Sequence, residues 1–92
     1  MAELPQLHDD IARAAERIGP HVLRTPWLHT PYLDGMDVHL KLESEQHTGS
    51  FKARGALNKV LSLTEAERAA GVLTASTGNH AQGFARALAI AG

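Results

Sequence analysis

The first apolar run in this chain of 92 residues has the spacing of one helix face, i, i+3, i+4 and i+7. Its members are Ile11, Ala14, Ala15 and Ile18. Because Gly19-Pro20 follows directly and ends the run, the pattern predicts an amphipathic helix at about 8–18.

The spacing then changes from helical to extended. Pro26 and Pro31 favour extended chain between His21 and Tyr32, since the residue before a proline is pushed away from helical geometry. After the turn at Asp34-Gly35, apolar and polar residues alternate, which predicts a strand at 38–42 with one buried face.

Helical spacing returns after Ser50, whose hydroxyl can cap a helix that runs to about residue 62. The apolar stripe of this helix consists of Phe51, Ala56, Leu57, Val60 and Leu61. Thr64 and Glu67 have the spacing of a capping box, and Gly71 is placed to end the short helix that they begin.

The last part of the chain predicts a buried strand at 72–75, a turn at 76–79 and a helix from His80 to about Ala91. One face of that helix carries Phe84, Ala87, Leu88 and Ala91. Strands that alternate with helices indicate an α/β fold with a parallel sheet.

Composition narrows the possible functions. The chain is 43% hydrophobic and 21% charged with a formal net charge of -1, and its basic residues are scattered, so no nucleic-acid-binding face is expected. It contains no cysteine, which excludes disulfides and thiolate chemistry in this segment. No signal peptide or membrane-spanning run is present in the sequence, and a cytoplasmic protein is the expectation.

Two junctions between a strand and a helix carry the candidate chemistry. In open α/β sheets, ligands bind where the carboxyl ends of strands meet helix N-termini, whose free N–H groups favour anions. The first junction contains Thr48, Gly49, Ser50 and Lys52, and the second contains Ser76, Thr77, Gly78, Asn79 and His80.

Lys52 is the candidate nucleophile because it falls in the predicted first turn of a helix. The helix dipole and partial burial would both favour the neutral amine that attacks a carbonyl group. The alternative is an ordinary exposed lysine on a helix surface.

The two junctions resemble the serine/threonine dehydratases, or threonine ammonia-lyases, of the fold-type II pyridoxal-phosphate enzymes. The resemblance rests on the segment from Lys41 to Ala56, with Thr48-Gly49-Ser50-Phe51-Lys52 at its centre, and on Ser76-Thr77-Gly78-Asn79-His80-Ala81-Gln82-Gly83. It implies the three-layer fold of the tryptophan synthase beta-like enzymes, incomplete in this chain.

The resemblance also implies a role for each matching residue. Lys52 would carry pyridoxal 5'-phosphate as a Schiff base and move the substrate α-proton, while Phe51 would line the cofactor ring and Asn79 would bind its phenolic oxygen. The substrate α-carboxylate would be held by Ser76, Thr77, Asn79 and His80. Two of these residues have structural alternatives, because Asn79 is also a common turn residue and His80 can hydrogen-bond its own turn.

Other residues of the motifs are expected to support the architecture. Glu43 and Arg54 have no predicted chemical role, and Gly78 and Gly83 are expected to permit a tight turn and close helix packing. The remaining histidines lack the spacing of metal ligands, so no metal site is expected.

The implied reaction is α,β-elimination from L-threonine or L-serine, which yields a 2-oxo acid and ammonia. A role in amino-acid metabolism such as isoleucine biosynthesis, and a homo-oligomer for the full-length protein, are further implications of the resemblance. An amino-acid racemase, with Thr77 as the local candidate for a second acid/base group, stays an alternative, as does a non-catalytic module that binds an anion or a partner.

One departure from the family pattern concerns the missing part of the site. The glycine-rich loop that binds the cofactor phosphate in relatives has no counterpart before Gly92. Residues 1–92 are therefore expected to be the N-terminal part of a catalytic region, comprising the start of the large domain and the beginning of the small one. Alone, this part is expected to bind the cofactor poorly and to be inactive.

Overall fold

The computed structural model describes residues 4–31, 34–71 and 78–92, and four α-helices, three short 3-10 helices and two strands lie within these ranges. The helices are α1 (Leu4–Ile18), α2 (Lys52–Ser62), α3 (Glu65–Ala69) and α4 (Asn79–Ala91), and the strands are β1 (Trp27–His29) and β2 (His39–Lys41). The predicted strand at 72–75 lies outside the described residues.

Helix α1 confirms the predicted helix and begins four residues earlier than expected. Its last residue, Ile18, is buried in the core, and Arg17 Nη1 donates a hydrogen bond of 2.7 Å to Asn58 Oδ1 on α2. The N-terminal half of its apolar stripe is solvent-exposed, and Ile11 is 61% exposed. Only the C-terminal end of α1 is therefore anchored within the described part of the chain.

The two strands form an antiparallel ribbon, a pairing that the sequence does not predict. Leu28 lies opposite Leu40, and a hydrogen bond of 2.9 Å from Thr30 N to Val38 O extends the ladder. The buried face predicted for the strand at 38–42 is wrong for this structure, because all three residues of β2 are exposed.

Helices α2 and α4 build the core together. Leu57, Val60 and Ala87 are 0% exposed, and they form one buried cluster with Ile18. The apolar residues predicted for α4 surround this cluster as partly buried neighbours, namely Phe84, Leu88 and Ala91. The amphipathic patterns of both helices are thus confirmed except at Phe51, which was predicted in the stripe of α2 but precedes that helix and is 62% exposed.

The short helix α3 has the predicted ends. Thr64 Oγ1 accepts a hydrogen bond of 3.1 Å from Glu67 N, and Glu67 Oε1 accepts one of 2.9 Å from Thr64 N, which completes the capping box. Gly71 follows with a φ of 95°, the left-handed conformation that commonly ends a helix.

Candidate active site

The candidate active site begins with the turn that leads into α2. Thr48 and Gly49 both have left-handed backbones, with φ of 64° and 77°. This geometry suits glycine, but it strains threonine because a β-branched side chain crowds the backbone there. Thr48 Oγ1 is also buried and finds no hydrogen-bond partner among the described residues. The turn therefore holds both a strained and an unsatisfied group next to the candidate site.

Ser50 connects this turn to the helix. Its Oγ accepts a hydrogen bond of 3.3 Å from Lys52 N, and its carbonyl oxygen accepts a longer one from Ala53 N. The prediction that Ser50 is the N-cap is wrong, because the helix begins at Lys52 and Phe51 is its N-cap, without a side-chain hydrogen bond. The Ser50 hydroxyl nevertheless accepts a hydrogen bond from the first amide of the helix.

Lys52 itself is exposed, so the partial burial expected from the sequence is wrong for this structure. Ala53 and Ala56 occupy the buried face of α2, and Lys52 lies outside that face. Lys52 Nζ lies 5.3 Å from the centroid of the Phe51 ring, within the range of a cation–π contact. The amine is thus accessible and next to an aromatic surface.

Phe51 and Asn79 come together at one open cleft of ≈ 380 Å³. The cleft is bounded by the end of β2, the turn at Gly49 and Ser50, Phe51, and the first residue of α4. Lys52 is not one of its lining residues, but it adjoins the cleft through the Phe51 ring. The structure therefore places these two predicted cofactor-binding residues at the same opening.

These side chains fit the chemistry of pyridoxal phosphate. The Phe51 side chain is 62% exposed and offers a flat apolar surface at the cleft, while the Asn79 amide can both donate and accept hydrogen bonds. The Lys52 amine can form an imine with an aldehyde. Together they match the three parts of such a cofactor, an aromatic ring, a polar ring substituent and an aldehyde carbon.

The residues predicted to bind substrate are only partly described. His80 is half-buried in the first turn of α4, and its ring centroid lies 6.1 Å from that of Phe84. Ser76 and Thr77 lie outside the described residues. Of the predicted carboxylate-binding set, the structure thus places Asn79 and His80, which are adjacent on α4.

A buried polar network lies behind the turn. Arg54 forms an ion pair with Glu43 through two nitrogens, and Thr25 Oγ1 donates a hydrogen bond of 2.6 Å to Glu43 Oε2. The Arg54 hydrogen bond is the main cause that lowers the pKa of Glu43 to about 2, while burial opposes it and the Thr25 hydrogen bond adds to it. Glu43 in turn raises the pKa of Arg54. The supporting role predicted for both residues fits this geometry.

Gln46 Nε2 donates a hydrogen bond of 3.5 Å to Glu43 Oε2 and so belongs to this network, and like Thr25 it had no role predicted from the sequence. It is 4% exposed, and its amide both accepts from Leu23 N and donates to Leu23 O at 2.8 Å. This pair of hydrogen bonds resembles the pairing of two strands, and it links the segment before β1 to the turn before α2. The one sequence feature that pointed to Gln46 is its position within the segment from Lys41 to Ala56 on which the resemblance rests.

The described ranges also bear on metal and membrane binding. They contain no group of three or more histidine or acidic side chains arranged to hold a metal ion. Within the same ranges, no helix is both long and apolar enough to cross a membrane.

The residues predicted to hold a cofactor are thus a lysine at a helix start, a neighbouring aromatic ring and an asparagine at a second helix start. A family model described as "Pyridoxal-phosphate dependent enzyme" matches residues 18–92. The chain therefore belongs to the pyridoxal-phosphate dependent enzymes, and the family's cofactor is pyridoxal phosphate.

Individual relatives agree with this assignment. The chain is 42% identical to the catabolic L-threonine dehydratase TdcB of Escherichia coli strain K12 over 93 residues, which cover 98% of this chain and 28% of the relative. Among solved structures it is similar to maize serine racemase, with a TM-score of 0.82 and 38% identity, covering 90% of this chain and 27% of that one. It is also similar to the serine racemase of Dictyostelium discoideum, with a TM-score of 0.82 and 40% identity, covering 89% and 28%.

These comparisons confirm the predicted fold class, that of the fold-type II pyridoxal-phosphate enzymes, of which this chain forms a partial α/β unit. The chain spans less than a third of the length of the relatives it matches.

Proposed function

We propose that the full-length protein catalyses α,β-elimination of L-threonine or L-serine, and that this chain supplies the lysine and the first cofactor contacts of its site. The observation that supports this most is the placement of Phe51 and Asn79 at one cleft beside the accessible amine of Lys52. The similarity to a threonine dehydratase over 98% of this chain favours the same reaction.

The chain's residues divide the work as follows. Lys52 would hold the cofactor covalently through Nζ, and the same Nζ, once free, would accept the α-proton of the amino acid. Phe51 would cover an apolar surface of the cofactor, and the Asn79 amide would hydrogen-bond its polar ring substituent. When bound, pyridoxal phosphate supplies an electron sink for the bond broken at Cα.

The substrate is oriented by the start of α4. Backbone N–H groups at a helix N-terminus and the side chains of Asn79 and His80 suit a carboxylate, as do the hydroxyls of Ser76 and Thr77. A fixed carboxylate sets the direction of the Cα–H bond toward Lys52 Nζ. The hydroxyl at Cβ leaves together with a proton as water, so the Cα hydrogen taken up by Lys52 Nζ and the Cβ hydroxyl account for the water lost. The enamine that forms becomes an imine, and water hydrolyses this imine to ammonia and a 2-oxo acid.

A second candidate function is amino-acid racemisation. The similarity to maize serine racemase at a TM-score of 0.82 favours it. Racemisation needs a second acid/base group on the opposite side of Cα, and Thr77 is the candidate within this chain. The two reactions differ in product, since elimination forms a 2-oxo acid and racemisation forms the other enantiomer.

The proposal is tested on the full-length protein with Lys52→Ala and, as a matched control, Lys59→Ala. Both lysines lie on α2 and are exposed, but Lys59 is near the other end of the helix. After incubation with pyridoxal phosphate and reduction with borohydride, mass mapping should find the cofactor on Lys52. Lys52→Ala should abolish this adduct and all turnover, whereas Lys59→Ala should keep both.

Product analysis then separates the candidates. L-threonine should give 2-oxobutanoate and L-serine should give pyruvate, each with one equivalent of ammonia. D-serine formed without pyruvate would establish the racemase instead. Turnover that Lys52→Ala leaves unchanged would overturn both enzymatic candidates.

We also propose that residues 1–92 are the N-terminal part of the catalytic region and lack a complete site. The open cleft and the share of the relatives' length that the chain spans support this division. The isolated chain should show no stable absorbance band of a Lys52-bound cofactor after mixing with pyridoxal phosphate. A strong band that disappears in Lys52→Ala would contradict this proposal.

A further inference from the structure

We infer that Gly83 is a positioning residue for Lys52. Because Gly83 has no side chain, α4 can approach the backbone of Lys52 closely, and this contact fixes the position from which the Lys52 side chain extends. Gly83 is buried in the middle of α4, one turn after Asn79. The inference rests on the proposed function, because it concerns the placement of the lysine used there.

The geometry of the contact is unusually close. A Cβ atom built on Gly83 would lie 3.0 Å from the carbonyl oxygen of Lys52, 3.1 Å from its carbonyl carbon and 3.3 Å from Ala53 N. Favourable contacts between carbon atoms lie at about 3.5–4.0 Å, so any side chain here would press on the first turn of α2. The atoms it would meet belong to the backbone and cannot rotate away.

The surroundings leave little room for the helices to separate. Ala53 is 1% exposed beside this contact, and Ala87, one turn further along α4, is 0% exposed against the core. Close-packed interiors transmit such strain and do not absorb it. A side chain at position 83 would therefore move the first turn of α2 relative to α4.

This displacement matters because the two helices carry different parts of one site. Lys52 opens α2, and Asn79 opens α4. A misplacement of about 1 Å can cost about 100-fold in rate, and functional groups must hold within about 0.5 Å of the productive geometry. The Gly83 contact thus sets the distance between nucleophile and cofactor ligand.

The test compares Gly83→Ala with Gly55→Ala in the full-length protein. Both glycines lie inside helices, so the gain in helix propensity is the same. A Cβ on Gly55, however, would meet no described atom within 4 Å. Gly83→Ala should lower kcat about 10-fold with a change in KM below about 3-fold, and slow attachment of pyridoxal phosphate to Lys52 similarly. Gly55→Ala should keep both rates within about 2-fold of the unsubstituted protein.

A third variant separates positioning from stability. Leu57→Ala removes buried volume from the same core and adds no atom that could push α4 away from Lys52, so it should lower Tm at least as much as Gly83→Ala does but leave kcat and the attachment rate within about 2-fold. If Gly83→Ala folds poorly, the same measurements are made in the Gly55→Ala background, which adds helix propensity to α2.

Three outcomes would overturn the inference. Gly83→Ala could match Gly55→Ala in both rates, or Leu57→Ala could lose kcat in proportion to Tm just as Gly83→Ala does, or the double variant could fail to fold where Leu57→Ala folds. A failure of the proposed function looks different, because the unsubstituted protein would then form no adduct on Lys52 at all.

Discussion

Arg54 holds the carboxylate of Glu43 with two of its guanidinium nitrogens, and the pair joins α2 to the turn that follows β2. The Glu43 side chain is only 14% exposed, so the pair is shielded from solvent more than a surface ion pair would be. Arg54 lies two residues from Lys52 along α2, and the pair thus supports the turn that carries the candidate nucleophile.

We predict that this ion pair makes stability depend on pH. The pKa of Glu43 falls from 4.5 to about 2 on folding, so its contribution is fully present above pH 4.5 and is lost as the pH falls toward 2. The shift corresponds to about 3 kcal/mol. Urea denaturation of the protein between about pH 7 and pH 2 should show this loss, and Glu43→Gln should remove most of it.

Glu45→Gln is the matched control, because Glu45 lies in the same turn and is exposed. Its substitution should leave the pH dependence of the unfolding free energy nearly unchanged. Equal effects of the two substitutions would contradict the assignment of this dependence to the Glu43–Arg54 pair.

Leu57 should be the side chain whose truncation destabilises the core most clearly. It is 0% exposed within the buried cluster, and Leu57→Ala should cost about 2–5 kcal/mol because a cavity would remain. Leu4→Ala makes the same change at a side chain that is 80% exposed, and it should stay within about 0.5 kcal/mol. Denaturant titration of the two variants checks the difference.

We predict that substitutions at Thr48 and at Gly49 have opposite effects on the stability of the protein. Thr48→Gly should stabilise the protein by about 1 kcal/mol, because it relieves the left-handed strain and removes the unpaired hydroxyl. Gly49→Ala should destabilise it by about 1–2 kcal/mol, since alanine would take up the strain that glycine avoids. Thermal unfolding measures both variants. A higher Tm for Gly49→Ala would contradict the prediction, because the turn would then change its conformation without an energetic cost.

The cap of α3 should control local opening rather than global stability. Thr64→Ala should cost about 1 kcal/mol of local stability, because Glu67 N would lose its hydrogen-bond acceptor. Thr64→Ser keeps an acceptor oxygen and should retain most of the protection. Hydrogen exchange at the Glu67 amide measures both variants, and equal exchange rates in the two would argue against the cap.

Helix positions were predictable from the sequence because their determinants are local. The apolar spacing of α2 and α4 and the paired Thr64 and Glu67 depend on residues within a few positions of one another, and the structure confirms them. Lys52 could be singled out for the same reason, since a serine two residues earlier indicates a nearby helix start, and its hydroxyl accepts a hydrogen bond from Lys52 N.

Features that depend on distant contacts were not predictable in this way. The antiparallel pairing of β1 with β2, the link from Gln46 to Leu23, and the exposure of β2 all depend on which segments meet in space. The partial burial expected of Lys52 failed similarly, because a position in the first turn of a helix does not say what covers the side chain. The roles of Ser76 and Thr77 stay predictions.

Helix α2 combines two duties, since its first turn presents Lys52 and its next turns contribute Leu57 and Val60 to the core. A random mutagenesis screen scored only by growth would therefore mark many positions of this helix as essential without distinguishing chemistry from folding. During evolution, substitutions at those core positions would be constrained by the position of Lys52 as well as by folding. This helix should consequently tolerate fewer substitutions than α1. Within the described part of the chain, the exposed half of α1 contributes neither to the core nor to the candidate site.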